Sequence, residues 1–180
     1  MKISGKQIAG IVIAVVIMTV FANYQNFLPH RWQAFSASDK SFSALFPSKP
    51  EAEDQQVPLD AGGIAVAHTF VATPEKTASY GLTYYDDPRL ATETIEEELN
   101  RARDGSIAKV QGSIIGERHL AIQGHEARDI DARATGNSLI TMRLIAVGQR
   151  LYLLMVVDTA RQKPDSKNIQ KFFDSLKLSG

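Results

Sequence analysis

The stretch Ser113–Asp158, SIIGERHLAIQGHEARDIDARATGNSLITMRLIAVGQRLYLLMVVD, contains the longest run of strand-like sequence in the chain. Its strand-like runs are interrupted three times by the turn-forming pairs QG, GN and GQ. Such pairs join antiparallel strands through tight loops, so the stretch predicts a four-stranded meander. A loop at Gly148–Gln149 brings two fully apolar rows onto one face, which must be core. The opposite face is also largely apolar, so a second layer must cover it.

Further strand patterns precede the meander. Ser41–Pro47 alternates polar and apolar residues, and the run ending near Pro58 is predicted to be an edge strand because proline cannot donate a backbone hydrogen bond. Strands are also predicted at Gly62–Ala72 and around Tyr80–Tyr84. The chain therefore supplies enough strands for one large sheet.

Two amphipathic helices are predicted around these strands. The first begins with a capping box of Thr94 and Glu97, and Gly105 is placed to end it. The second is predicted at Asp165–Leu178, with apolar residues at helical spacing. These are Ile169, Phe172, Phe173 and Leu176. A mainly antiparallel sheet flanked by helices, an α+β fold, is the simplest arrangement that covers both apolar faces.

The N-terminal segment predicts contact with a membrane. Ile8–Ala22 holds fifteen uncharged residues after Lys2 and Lys6, and residues 7–28 together are long enough to span a bilayer. We expect one retained transmembrane helix. The small residues before Asn23 leave a cleaved signal peptide as the alternative, in which case the protein is secreted.

The charges around this segment predict its orientation. Lys2 and Lys6 favour a cytoplasmic N-terminus, so the remainder is expected to be extracytoplasmic, in the periplasm. The expected domain organisation is a membrane anchor or signal at 1–30, a juxtamembrane linker at 31–40 and a single globular domain at 41–180. The protein is then a single-pass protein of the cell membrane.

Composition excludes several classes of function. The 180 residues contain 20 basic and 20 acidic side chains, so no net positive charge would attract nucleic acid. The absence of cysteine excludes disulfides, thiol catalysis and thiolate zinc sites. No phosphate-binding glycine motif or nucleophile elbow is found.

The densest cluster of ionisable residues is GHEARDIDAR, Gly124–Arg133. A metal or acid/base site in this region would use five side chains. They are His119, His125, Glu126, Asp129 and Asp131. A Gln123–Gly124 loop would instead place the two histidines on opposite faces of the sheet.

The same register pairs the charges across the hairpin. It sets His119 opposite Arg128 and Arg118 opposite Asp129, and arginines beside these acids oppose both a metal cation and a protonated carboxyl group. The favoured interpretation is a solvated strand with cross-strand ion pairs. No catalytic, cofactor-binding or metal-ligating residue is assigned.

Other polar residues are also interpreted as structural. His68 lies in an apolar strand, and His30 is expected near lipid headgroups. The acids of YYDDP and ETIEEE lack the ligand spacing of a calcium loop, and the helix cap accounts for those in the helix.

Five segments, FSALFPSKPE, YGLTYYDDP, IQGHEARD, GQRLYLLMVV and FFDSLKL, resemble the PsbP-like fold group, especially uncharacterised bacterial envelope proteins. The resemblance covers residues 41–178. It implies an αβα sandwich and an accessory or envelope-associated role, and it supplies no catalytic set.

We therefore expect a membrane-tethered extracytoplasmic accessory or interaction domain without catalytic activity, which contacts the membrane through residues 7–28 and an envelope protein through its folded part. The alternative is a small-molecule or lipid-binding module that uses aromatic residues. These are Tyr80, Tyr84, Tyr85 and Tyr152. A metal-dependent hydrolase is the least favoured hypothesis.

Overall fold

The computed structural model describes residues 31–58, 64–74, 78–91, 94–159 and 165–179. The strands of these residues, in chain order, are β1 (Gln33–Ser36), β2 (Phe42–Phe46), β3 (Glu51–Pro58), β4 (Ile64–Ala72), β5 (Ala78–Asp86), β6 (Ser113–Ile122), β7 (His125–Arg133), β8 (Leu139–Val147), β9 (Arg150–Asp158) and β10 (Lys177–Leu178). The helices are α1 (Ile95–Lys109) and α2 (Ser166–Asp174), and 3-10 turns lie at Pro88–Ala91 and Thr135–Asn137.

Seven strands form one antiparallel sheet in the order β3-β4-β5-β9-β8-β7-β6. The predicted meander is present as β6 to β9, and the pairing of Val147 with Arg150 confirms the two-residue loop at Gly148–Gln149. β3, which ends at Pro58, is an edge strand as predicted. Strands β8 and β9 therefore lie near the middle of the sheet, where both faces are covered.

One face of the sheet packs against α1, and we call the buried layer between them the α1-side core. It contains the two apolar rows that the meander predicted, for example Met142 and Met155, together with Leu99 and Ala102 from α1. The helix starts with the predicted capping box: Thr94 Oγ1 accepts a hydrogen bond from the Glu97 amide at 3.2 Å, and the Thr94 amide donates to Glu97 Oε2 at 3.1 Å.

The opposite face carries the α2-side core. Here α2 and a small antiparallel sheet, in the order β1-β2-β10, cover the seven-stranded sheet. Phe172 is fully buried, and its ring centroid lies 5.1 Å from that of Phe46 and 5.6 Å from that of Tyr80. The apolar side chains of α2 and of β2 thus supply the cover that the second face requires.

The beginning of the folded domain differs from the sequence prediction. Residues 31–40 were expected to be a juxtamembrane linker, but Gln33–Ser36 forms β1 and pairs with β2. The apolar side chains of this segment explain the difference, because Ala37 is buried and Phe35 packs against the α2-side core.

Both helices end at places other than those expected. Gly105 was expected to end α1, yet it is buried within the helix, which continues to Lys109 so that Ile107 can pack against the α1-side core. The second helix ends at Asp174 instead of Leu178. Lys177 and Leu178, which follow the helix, form β10 and pair with one edge of β2.

Within the described ranges, no helix is long and apolar enough to cross a membrane. The predicted anchor at residues 7–28 lies outside the described residues, as does His30.

Candidate functional site

The charged stretch Gly124–Arg133 forms the β6–β7 turn and strand β7, and its register is the predicted one. His119 lies opposite Arg128, Arg118 opposite Asp129, and His125 opposite Ile122. Since facing residues share a face and successive residues alternate, His119 and His125 lie on opposite faces of the sheet. Among the described residues, no group of three or more histidine, aspartate or glutamate side chains is arranged to hold a metal ion.

The expectation of a solvated strand is wrong for the middle of β7. Arg128 and Asp129 are 2% and 7% exposed, because α1 covers one face of the strand and α2 approaches the other. Burial of charged groups is costly unless each is paired, and both of these residues are paired. The strand therefore carries two buried charged clusters, one on each face.

Asp129 is the centre of the cluster on the α2 side, which we call the Asp129 cluster. Its carboxylate accepts two hydrogen bonds from Arg143, from Nε to Oδ1 at 2.6 Å and from Nη2 to Oδ2 at 2.9 Å. Arg118 Nη2 donates to Oδ2 at 3.0 Å. Arg143 also lies 3.5 Å from Asp174 Oδ1 of α2, and its guanidinium carbon is 5.0 Å from the ring centroid of Phe173.

The electrostatics of this cluster favour a structural role. Burial alone would lower the pKa of Arg143, but the hydrogen bonds and negative charge of Asp129 outweigh it and raise the pKa. Both carboxylate oxygens of Asp129 accept bonds from guanidinium groups. A carboxylate held in this way can fix α2 to the sheet through Arg143, which also contacts Asp174 and Phe173 of the helix.

The second cluster lies beneath α1. Arg128 Nη1 donates to Glu117 Oε1 at 3.1 Å and to Asn100 Oδ1. Arg103 Nη1 donates to Glu117 Oε2 at 2.9 Å, so Glu117 links the helix to two neighbouring strands. Sequence patterns did not indicate this network because its members are separated by up to 28 positions and meet only when α1 packs on the sheet.

A groove runs between α2 and the strands β7 and β8. It consists of two adjoining cavities of about 270 and 400 Å³. Asp131, Thr141, Ser166 and Ile169 line both. The smaller cavity borders the Asp129 cluster, and the lining of the larger one is more apolar and includes Ile115 and Leu139.

The four tyrosines proposed for ligand binding line neither cavity. Tyr80, Tyr84 and Tyr152 are buried in the α2-side core, whereas Tyr85 is buried in the α1-side core. Burial raises the pKa of Tyr84 to about 12, and the negative charge of Asp39 adds to this effect. These tyrosines fill the interior and do not form a common pocket.

The remaining candidates have structural partners. His68 Nδ1 lies 2.8 Å from Asp54 Oδ1 across the β3–β4 pair. In the YYDDP segment, Asp86 accepts two hydrogen bonds from Arg150, and Asp87 is fully buried and bonded to Arg89. The acids of this segment are therefore engaged by arginines.

Two pairs of exposed apolar residues were not identified from the sequence. Ile64 and Val66, at the start of β4, are 65% and 42% exposed, and Ile114 and Ile115, at the start of β6, are 41% and 57% exposed. In the sequence these residues resemble the buried positions of strands. Only the sheet order and register reveal that β6 is an edge strand and that the start of β4 has no paired residue on β5.

Comparison with known proteins bears on the fold. No family model matches the chain, and no curated protein matches it. Solved structures do match the chain. One is the cyanobacterial PsbP protein CyanoP from Synechocystis sp. PCC 6803. The superposition covers 83% of this chain and 94% of the CyanoP chain, with a TM-score of 0.56 and 10% sequence identity. A protein of unknown function from Pseudomonas aeruginosa, PA94, matches 78% of this chain and 92% of its own, with a TM-score of 0.45 and 13% identity.

The chain therefore has a PsbP-like fold, as the resemblance of its segments predicted. At 10% identity, the likeness to CyanoP extends to the fold alone.

Proposed function

We propose that this chain is a non-catalytic accessory domain that is tethered to the cell membrane, lies on its extracytoplasmic side and binds another envelope protein. The observation that carries the proposal is the exposure of Ile64 and Val66 at the start of β4, beside the end of β3.

The position of these two side chains in the sheet makes them available to a partner. Ala65 and Ala67 of β4 point into the α1-side core, so Ile64 and Val66 face the other side. The pairing of β4 with β5 begins only at His68, so Ile64 and Val66 have no paired residue on β5. Ile64 and Val66 alternate on one face of the strand and so form a small contiguous apolar patch, and exposed apolar patches are one mark of a protein interaction site.

The edge strand β3 indicates the chemistry of the partner. Glu51, Glu53 and Asp54 are exposed on this strand, and no basic residue lies between Glu51 and Pro58. Acidic residues protect an exposed edge from unwanted strand pairing, and they also favour a partner surface with complementary charge. We expect a partner with an apolar centre and basic residues around it.

Two further observations support the rest of the proposal. The buried charged residues in the cluster region, Arg128, Asp129 and Arg143, are engaged in ion pairs that fix elements of the fold, which is unsuited to acid/base chemistry. The tether is supported by the uncharged segment Ile8–Ala22 and the two lysines before it.

Site-specific photo-crosslinking in native membranes tests the proposal. A photoreactive amino acid at Ile64 of the full chain should give one discrete protein adduct, and the additional substitution Val66→Asp should strongly reduce it. Ala121, which is exposed on β6 at the other side of the sheet, is the matched control position. Equal adducts at both positions, or none at either, would show that the hairpin is not a docking surface.

A further inference from the structure

The residues that follow the predicted anchor are fixed to one end of the domain. The Arg31 amide donates a hydrogen bond to the Pro47 carbonyl oxygen at 2.8 Å. The ring of Trp32 lies 6.1 Å from that of Tyr80, and Lys171 Nζ lies 4.5 Å from the Trp32 centroid. The anchor prediction ends at residue 28, and three residues extend at most about 10 Å. If the proposed tether is retained, this end of the domain must therefore lie close to the membrane.

Strand pairing shows which other residues lie at the same end. A continuous row of paired residues crosses the sheet from β5 to β6. It consists of Tyr80, Val156, Thr141, Asp131 and Gly116. The four strand spacings in this row correspond to about 19 Å. Trp32 thus lies against a row that ends at Gly116, and Ile114 and Ile115 lie one to two residues nearer to the end of the sheet.

The side chains around Ile114 and Ile115 suit a lipid surface. Both isoleucines are exposed, and the irregular register between Ile114 and Gly116 interrupts regular pairing at Ile115. Lys109, the last residue of α1, and Arg133, which pairs with Ser113, are also exposed. Apolar side chains beside lysine and arginine favour the boundary between acyl chains and anionic headgroups.

We infer that this end of the domain rests on the bilayer, with Ile114 and Ile115 in contact with the headgroup region and Lys109 and Arg133 beside anionic lipids. The inference rests on the membrane tether of the proposed function. It adds a fixed orientation: the strands run away from the membrane, and the Ile64 end of β4 faces away from it. Since β6 has ten residues, the Gln123–Gly124 turn at its far end lies about 30 Å from the membrane surface.

Because the sequence contains no cysteine, a single introduced cysteine can be labelled selectively, which allows a direct test. The full chain with Ile115→Cys is labelled with an environment-sensitive fluorophore and reconstituted into vesicles of phosphatidylethanolamine and phosphatidylglycerol. Ala121→Cys, near the far end of the same strand, is the matched control. Spin-labelled lipids should quench the probe at position 115 several-fold more strongly than the probe at 121, and the emission at 115 should shift to shorter wavelength.

Charge reversal tests the contribution of the headgroups. Arg133→Glu should reduce the quenching at position 115, whereas Lys40→Glu should not, because Lys40 is exposed near Asp39 and Arg150 at the opposite end of the sheet. In vesicles of phosphatidylcholine alone, the effect of Arg133→Glu should be small, since the anionic lipid is absent.

Co-flotation of the chain with the vesicles tests the membrane tether separately from the orientation of the domain. A chain that floats while positions 115 and 121 are quenched equally retains the tether but contradicts the orientation. A probe at 115 that is shielded from water but not quenched by lipid would indicate a protein contact and overturn the lipid contact. A chain that does not float would overturn the tether, and the orientation with it.

Discussion

Asp129 joins two arginines of different exposure in a single cluster. Arg143 is buried with it, whereas the side chain of Arg118 is 79% exposed. The bidentate pair with Arg143 is the stronger of the two interactions, because water screens it less and its geometry fits the guanidinium group. Removal of the carboxylate charge would leave the Arg143 guanidinium buried beside Phe173, and of its ion pairs within the described residues the 3.5 Å contact to Asp174 would remain.

We therefore predict that Asp129→Asn lowers the free energy of unfolding by about 3 kcal/mol, because it leaves a buried charge without its main partner. Asp131→Asn, two residues away on the same face but exposed, should cost less than about 1 kcal/mol. Urea unfolding of the full chain in mild detergent, followed by circular dichroism, measures both. Equal losses for the two variants would show that the Asp129–Arg143 pair is not a major stabilising contact.

Residue-scale features of this site were only partly predictable. The Gln123–Gly124 loop predicts that Arg118 pairs opposite Asp129, because a two-residue turn fixes the register of every pair in the hairpin. The burial of Asp129 depends on α2, which follows β7 by more than thirty residues, and no local pattern encodes that approach. For the same reason, the sequence indicated the pairing of Arg118 with Asp129 but not the burial of Asp129.

The β6–β7 hairpin depends on a turn whose two residues have left-handed backbone conformations. Gln123 has φ 51° and Gly124 has φ 87°. Glycine adopts such angles without a steric penalty, and any residue with a Cβ atom is strained there. Gln123 tolerates its position and also contributes side-chain bonds, from Nε2 to the Leu176 carbonyl oxygen at 2.8 Å and from the Leu178 amide to Oε1 at 3.0 Å. The turn therefore also fastens β10.

Gly124→Ala should lower the free energy of unfolding by about 1 kcal/mol, the approximate cost of a left-handed conformation for alanine. The control is Gly116→Ala in the same hairpin: a Cβ atom there meets no atom within 4 Å, and no positive φ has to be adopted. Its effect should stay within about 0.5 kcal/mol. Thermal unfolding of both variants measures the difference, and a comparable loss for Gly116→Ala would contradict the explanation from φ.

Strands with alternating patterns were predicted more accurately than the ends of helices. In β2, the pattern of Phe42, Ala44 and Phe46 is local, and the structure buries all three. The end of α2 depends instead on β2, since Lys177 and Leu178 leave the helix to pair with that strand. Local sequence does not show which distant strand edge is open, so the small sheet could not be derived from it.

The whole molecule has two cores that share the same central strands. Residues of β8 and β9 alternate between the layers: Met142 and Leu153 face α1, whereas Ile145 and Leu154 face α2. Neither core can lose its packing without disturbing strands that support the other. The domain should therefore unfold as one cooperative unit, although its two helices lie on opposite faces.

The single tryptophan allows this coupling to be measured. Trp32 packs against the α2-side core, whereas Leu99, 2% exposed, belongs to the α1-side core. Leu99→Ala should lower the free energy of unfolding by about 3 kcal/mol by leaving a cavity. If the cores are coupled, the unfolding midpoints measured by tryptophan fluorescence and by far-ultraviolet circular dichroism will shift together to lower urea concentration. Ile64→Ala, which truncates a side chain that is 65% exposed, is the control and should leave both transitions nearly unchanged. A fluorescence transition that stays in place while the dichroism transition moves would show that the two layers unfold independently.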